Sequence, residues 1–153
     1  MFASGRIALY ASSVVGCKAR AYTAIDGQGG AVSIDTSTDV VLDRVHCEEN
    51  RANHNLTKLG HGGCLSVTSD AEAGLPSRVV VNGFTSHGDQ ATQYGGAVYV
   101  GRSSTMIMTE SSVRRANGSG AVYVSSAKVT LSTLVVENTA CASDDDGAVM
   151  CVA

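Results

Sequence analysis

The sequence predicts an all-β fold, a right-handed single-stranded parallel β-helix (β-solenoid) of about five to six coils, and three observations carry that expectation. Composition is the first: Gly 17 against Pro 1, no Trp, and many Val, Ser and Thr read as short strands joined by tight turns. The second is self-similarity. Gly29-Gly-Ala-Val-Ser-Ile, Gly62-Gly-Cys-Leu-Ser-Val, Gly95-Gly-Ala-Val-Tyr-Val, Ser119-Gly-Ala-Val-Tyr-Val and Asp146-Gly-Ala-Val-Met-Cys align without gaps, with a fainter copy at Ser4-Gly-Arg-Ile-Ala-Leu. The third is period. Between Gly5, Gly30, Gly63, Gly96, Gly120 and Gly147 the spacings are 25, 33, 33, 24 and 27, one coil of a solenoid each.

Strand alternation sorts the faces, because successive side chains point to opposite sides. Ile7, Val32, Leu65, Val98, Val122 and Val149 form one inward column, and Leu9, Ile34, Val67, Val100, Val124 and Cys151 the next. Ser33, Ser66, Tyr99, Tyr123 and Met150 alternate with them and are expected outside. A second strand aligns at Val40-x-Leu42, Val79-x-Val81, Met106-x-Met108 and Val129-x-Leu131, followed by Val45, Phe84, Ser111 and Leu134 and then Cys47, Ser86, Val113 and Val136. Ser86 and Ser111 need hydrogen-bond partners if buried. The segment Ser69 to Pro76 lengthens one coil as a surface excursion. Amphipathic helices or a β-sandwich do not explain like residues recurring on glycine at one coil length. A solenoid does, since each coil buries its apolar face only by stacking on its neighbours.

The chain reads as a single domain over 1–153, with 1–28 an atypical first coil or a signal segment. The opening residues through Cys17 combine Arg6, a modest apolar stretch and Val14-Val15-Gly16-Cys17, which resembles a lipoprotein cleavage box. Both termini enter or leave mid-coil, which reads as a fragment of a longer solenoid or a chain that associates end to end. A net charge of −3 gives no footprint for nucleic acid.

Gly-Gly-Ala-Val at strand starts, together with an apolar-x-x-Asn element at Cys47-Glu-Glu-Asn50 and Val135-Val-Glu-Asn138, resembles the polymorphic outer membrane protein repeat, within the wider pectin-lyase-like group. Phe84-Thr-Ser-His87 has His where that motif has Asn, and the next coil offers Arg114-Arg-Ala-Asn117. The resemblance covers about residues 29 to 153. It implies a secreted or cell-surface protein with an adhesive role, and structural roles for Gly30, Gly63, Gly96, Gly120, Gly147, Asn50 and Asn138. An Asn at a coil corner satisfies backbone groups that the turn leaves unpaired.

Sites are weighed against that structural background. One outward column reads Glu48, His87, Arg114, Glu137, and another Asp43, Asn82, Thr109, Ser132. The first supplies the candidate catalytic residues Glu48, His87 and Arg114 of a polysaccharide lyase or glycoside hydrolase, although a surface ion-pair ladder has the same composition. Tyr99 and Tyr123, taken as exposed, are the candidate binding residues for a carbohydrate or protein ligand. No metal site is expected: the five cysteines contain no C-x-x-C pair and the four histidines show no ligand spacing. Cys47 and Cys151 read as small buried hydrophobes. No cofactor is expected. Asp144-Asp145-Asp146 offers oxygens of the kind calcium takes, but three adjacent Asp do not converge easily and a solvated loop explains them. The reading is a non-enzymatic binding scaffold, with a carbohydrate-active enzyme as the alternative.

Overall fold

A computed structural model describes residues 6–21, 27–35, 39–54, 60–69, 76–101, 103–118, 120–139 and 148–150. The expectations for Gly5, Gly147, Cys141, Cys151 and Asp144 to Asp146 fall outside the described residues. Every regular element among those described is a β-strand. The largest sheet has eight strands, all parallel. Within it Arg6–Tyr10 pairs with Asp39–Asp43, which pairs with Arg78–Asn82, then with the first half of Thr105–Arg114, then with Lys128–Glu137. A second row, Ser13–Val15, His46–Glu48 and Thr85–His87, continues into the second halves of the same two long strands. Smaller sheets follow. Lys18–Ala21, Arg51–His54 and Gln90–Ala91 form one; Val32–Asp35, Leu65–Thr68, Val98–Gly101, Val122–Ser125 and Ala148–Met150 form another. A strand therefore pairs with its counterpart one repeat later, not with its neighbour in sequence.

Inward residues meet in one core. Val32, Leu65, Val98 and Val122 stand opposite one another in register, as do Val40, Val79, Met106 and Val129, and both columns join a single apolar cluster with Phe84, Cys47 and Val113. Burial alternates along Thr105–Arg114 until Glu110, where the phase shifts so that Met108 and Ser111 both face inward. The cause is a single residue of left-handed backbone, Glu110 at φ 48. The same kink recurs in register at Ala11, Arg44, Gly83 and Thr133, and a second file of left-handed residues lies at Gly16, Glu49, Gly88, Arg115 and Asn138. Each file makes a corner. The two serines expected to need partners have them: Ser86 Oγ donates to Asp89, and Ser111 Oγ donates to the Thr109 carbonyl at 2.7 Å while accepting from Phe84 N–H at 3.3 Å.

The paired glycines do two different things. Gly62 has φ +63, and a Cβ there would lie 2.1 Å from the Leu65 carbonyl oxygen, whereas a Cβ on Gly63 would lie 2.0 Å from the Gly96 carbonyl oxygen of the following repeat. The first glycine permits the turn and the second permits backbone to stack on backbone.

Three expectations are corrected. Ile7 and Leu9 pair with Val40 and Leu42, so they belong to the second strand column and not to that of Val32 and Ile34. The faint copy at Gly5 aligns the first repeat one strand out of phase. Ala148–Met150 runs antiparallel to Val122–Ser125, placing Val149 opposite Tyr123 rather than Val122. Finally, Ser33, Ser66, Tyr99 and Tyr123 are buried, not outside. Alternation assigned their face correctly, but that face is itself covered.

Candidate functional site

The burial of Tyr99 and Tyr123 follows from what the preceding strand brings beside them. Gly60–His61 enters the turn before the glycine pair, and His61 bridges to Tyr94 one repeat on. Their rings lie over the sheet. Tyr94 stacks on Tyr123 with centroids 4.3 Å apart, His61 lies 4.5 Å from Tyr99, and Tyr99 and Tyr123 are 6.0 Å apart at an interplanar angle of 12°. These offset and tilted contacts are the geometry aromatic rings favour. The cluster is a satellite core. Its tyrosines present little surface, which corrects the expectation that Tyr99 and Tyr123 are exposed.

The outward face of the eight-stranded sheet is different. Ala8, Val41, Val80, Ile107 and Thr130 form one file across it, with Ala8, Val41 and Thr130 exposed and Val80 and Ile107 half-buried. Beside it runs the polar file Tyr10, Asp43, Asn82, Thr109, Ser132. Asn82 Nδ2 donates to Asp43 Oδ1 at 2.8 Å and Thr109 Oγ1 donates to Asn82 Oδ1 at 3.0 Å. The Asn82 hydrogen bond is the main influence holding the Asp43 carboxyl below its ordinary value, helped by Arg44, while desolvation opposes it.

The file Val15, Glu48, His87, Arg114, Glu137 is also in register. Arg114 pairs with Glu137 at 3.0 Å and Glu48 with His46 at 3.7 Å, all with half-exposed side chains. His46 Nδ1 lies 2.7 Å from Thr85 Oγ1. Glu48 and Glu137 are three strand spacings apart, roughly 14 Å, against about 5 to 9.5 Å for the carboxyl pair of a glycosidase. The candidates Glu48, His87 and Arg114 thus share a surface file without an acid pair at working distance.

A fully enclosed pair of polar groups, Asn50 and Asp89, sits at the second corner. Asn50 is fully buried: its Oδ1 accepts from Cys17 N–H at 2.9 Å, and its Nδ2 donates to the Val14 carbonyl and to Asp89 Oδ1, each at 2.9 Å. Asn50 N–H also donates to Asp89 Oδ1 at 2.8 Å. One side chain ties three repeats together. In the following repeat the equivalent position is Asp89, three residues after Ser86 as Asn50 is three after Cys47. The motif alignment sets His87 against Asn, but the register places it on the outer face. Asn138 belongs to the left-handed file and is exposed; Thr139 occupies the buried corner in that repeat. Burial pushes the Asp89 carboxyl above its ordinary value, against the opposing hydrogen bonds from Ser86 and Asn50. Beside it Cys47 and Cys64 form a disulfide with Cα atoms 6.1 Å apart, which corrects the reading of Cys47 as a plain hydrophobe. The two sulfurs and an Asp89 oxygen all lie within 4.8 Å of one another.

No family model, curated protein or solved structure matches the chain. Sequence reasoning missed Asp89 and the Cys47–Cys64 pair. The signal available in the sequence is the serine-x-x-Asp spacing at Ser86 to Asp89, parallel to Cys47 to Asn50.

Proposed function

We propose that the chain is a right-handed, single-stranded parallel β-helix of about five coils, acting as a non-enzymatic scaffold that binds a carbohydrate or protein surface outside the cell. The observation that carries this reading is the outward face of the eight-stranded sheet. Its residues stand in straight files, an aliphatic one through Val41 and Ile107 beside a hydrogen-bonded polar one through Asp43, Asn82 and Thr109. Such a face offers repeated, rigidly spaced contacts, and repetition raises avidity without requiring any one strong site. The helical path is supported by parallel pairing between successive repeats in sheet after sheet around one core. The likeness to polymorphic outer membrane protein repeats is supported by the glycine pairs and by Asn50 at its buried corner. A buried disulfide supports an oxidising, secreted or surface location. The wide separation of Glu48 and Glu137 weighs against the hydrolase alternative.

The test is direct binding of the purified chain to a glycan array and a panel of extracellular matrix proteins. Saturable binding is expected, weakened about tenfold or more by V41E with I107E while the β-sheet circular dichroism spectrum is unchanged. Cleavage of a polysaccharide, or binding indifferent to both substitutions, counts against the reading.

A further inference from the structure

Asp89 is a carboxylate with no exposed surface. Its hydrogen bonds come from neutral donors, Asn50 and Ser86. None of the ion pairs formed among the described residues involves it. Buried carboxylates are ordinarily matched by a countercharge or a metal, and a disulfide supplies neither. What faces Asp89 is sulfur: Cys47 and Cys64, both fully buried, each with Sγ within 4.8 Å of an Asp89 oxygen and of one another.

We propose that the Cys47–Cys64 pair and Asp89 form a redox-switched zinc site, empty while the disulfide is closed and filled when it is open. Two thiolates and one carboxylate are a donor set that Zn2+ takes. Zinc bonds of about 2.0 to 2.3 Å in a tetrahedron set donors roughly 3.3 to 3.8 Å apart, so the three groups need only small adjustment once the sulfur–sulfur bond is broken. The fourth position is left for a water or an exogenous ligand. Asn50 has the part of an outer-shell residue, because its two donors on Oδ1, with Ser86 Oγ donating to Oδ2, orient the carboxylate and leave its remaining lone pairs for the metal. The chemistry balances with a dithiol reductant. It gives two electrons and two protons to the Cys47–Cys64 bond and becomes a disulfide itself; Zn2+ then displaces the two thiol protons to solvent. Oxidation reverses both steps and releases the ion. Sequence spacing hides the site, because Cys47 and Asp89 come from successive repeats and Cys64 from the glycine turn just before Leu65–Thr68.

The test uses the full chain with Cys17, Cys141 and Cys151 replaced by Ser, refolded with and without reductant and titrated with Co2+ as the zinc probe. The reduced form is expected to bind one Co2+ per chain with a thiolate-to-cobalt charge-transfer band, displaced by Zn2+. The band should vanish in C47S and in the oxidised protein. D89N, which preserves shape and hydrogen bonding, should weaken binding by about tenfold or more while the sheet spectrum is retained. A reduced, folded chain that takes up no Co2+, or binds it equally well with D89N, overturns the proposal.

Discussion

At the scale of single residues the backbone corners are the most demanding positions. Thr133 is β-branched and adopts φ 54, a conformation such residues resist by about 1 to 2 kcal/mol. Thr133→Gly is therefore expected to raise stability by about 1 kcal/mol in urea denaturation. Gly63→Ala should do the opposite, because its Cβ would meet the Gly96 carbonyl oxygen of the next repeat at 2.0 Å; a loss of about 3 kcal/mol or more follows from a backbone that has no room to shift. Asp89 gives the pH dependence. Its folded pKa lies above the ordinary 3.8, so the folded state holds this proton more firmly than the unfolded chain does. Stability from this group is greatest below that value and declines as pH rises from it through the raised folded value. In the disulfide form, Asp89→Asn should flatten the stability profile across that window, read from melting temperatures taken at successive pH values.

At the scale of elements, the strand columns were legible in the sequence because alternation and gapless repetition fix register when one face is buried. Val40, Val79, Met106 and Val129 needed only alignment. The three-residue step from Met108 to Ser111 was legible too, although its cause was not: the left-handed files mix Gly with Glu49, Arg115 and Asn138, so no residue type marks them. Alternation also says which side a residue faces and nothing of what lies over it. Tyr99 and Tyr123 stand on the outer face by alternation, yet His61 and Tyr94 lie beside them and enclose them. Asp89 escaped for a chemical reason, since a carboxylate at a buried corner is the less expected relative of Asn. The pairing of Cys47 with Cys64 depends on the path between two sheets, which spacing alone does not give. It closes a loop across a sequence separation of 17, and opening it in metal-free buffer should cost about 3 kcal/mol, measurable as a lower denaturation midpoint in reductant.

At the scale of the whole molecule, the sheet ends on Lys128–Glu137, a strand of 10 residues with no described strand on its far side. Its core-facing Val129, Leu131 and Leu134 are only half-buried. An edge of this length and composition invites pairing. Sedimentation velocity is expected to detect concentration-dependent association that Leu131→Lys diminishes, since an inward-pointing charge blunts an edge; equal association by both proteins would place the contact elsewhere.

The register offsets between paired strands vary along this sheet. From Ile7 to Val40, Val79, Met106 and Val129 they are 33, 39, 27 and 23 residues, yet the hydrogen bonds always point the same way, across the strands. Mechanical load is then resisted unequally by direction. Tension along the hydrogen bonds peels the end strand away one bond at a time, whereas drag along the strands loads a whole ladder at once. Drag applied along the strands of the outward face would load that second, stiffer direction.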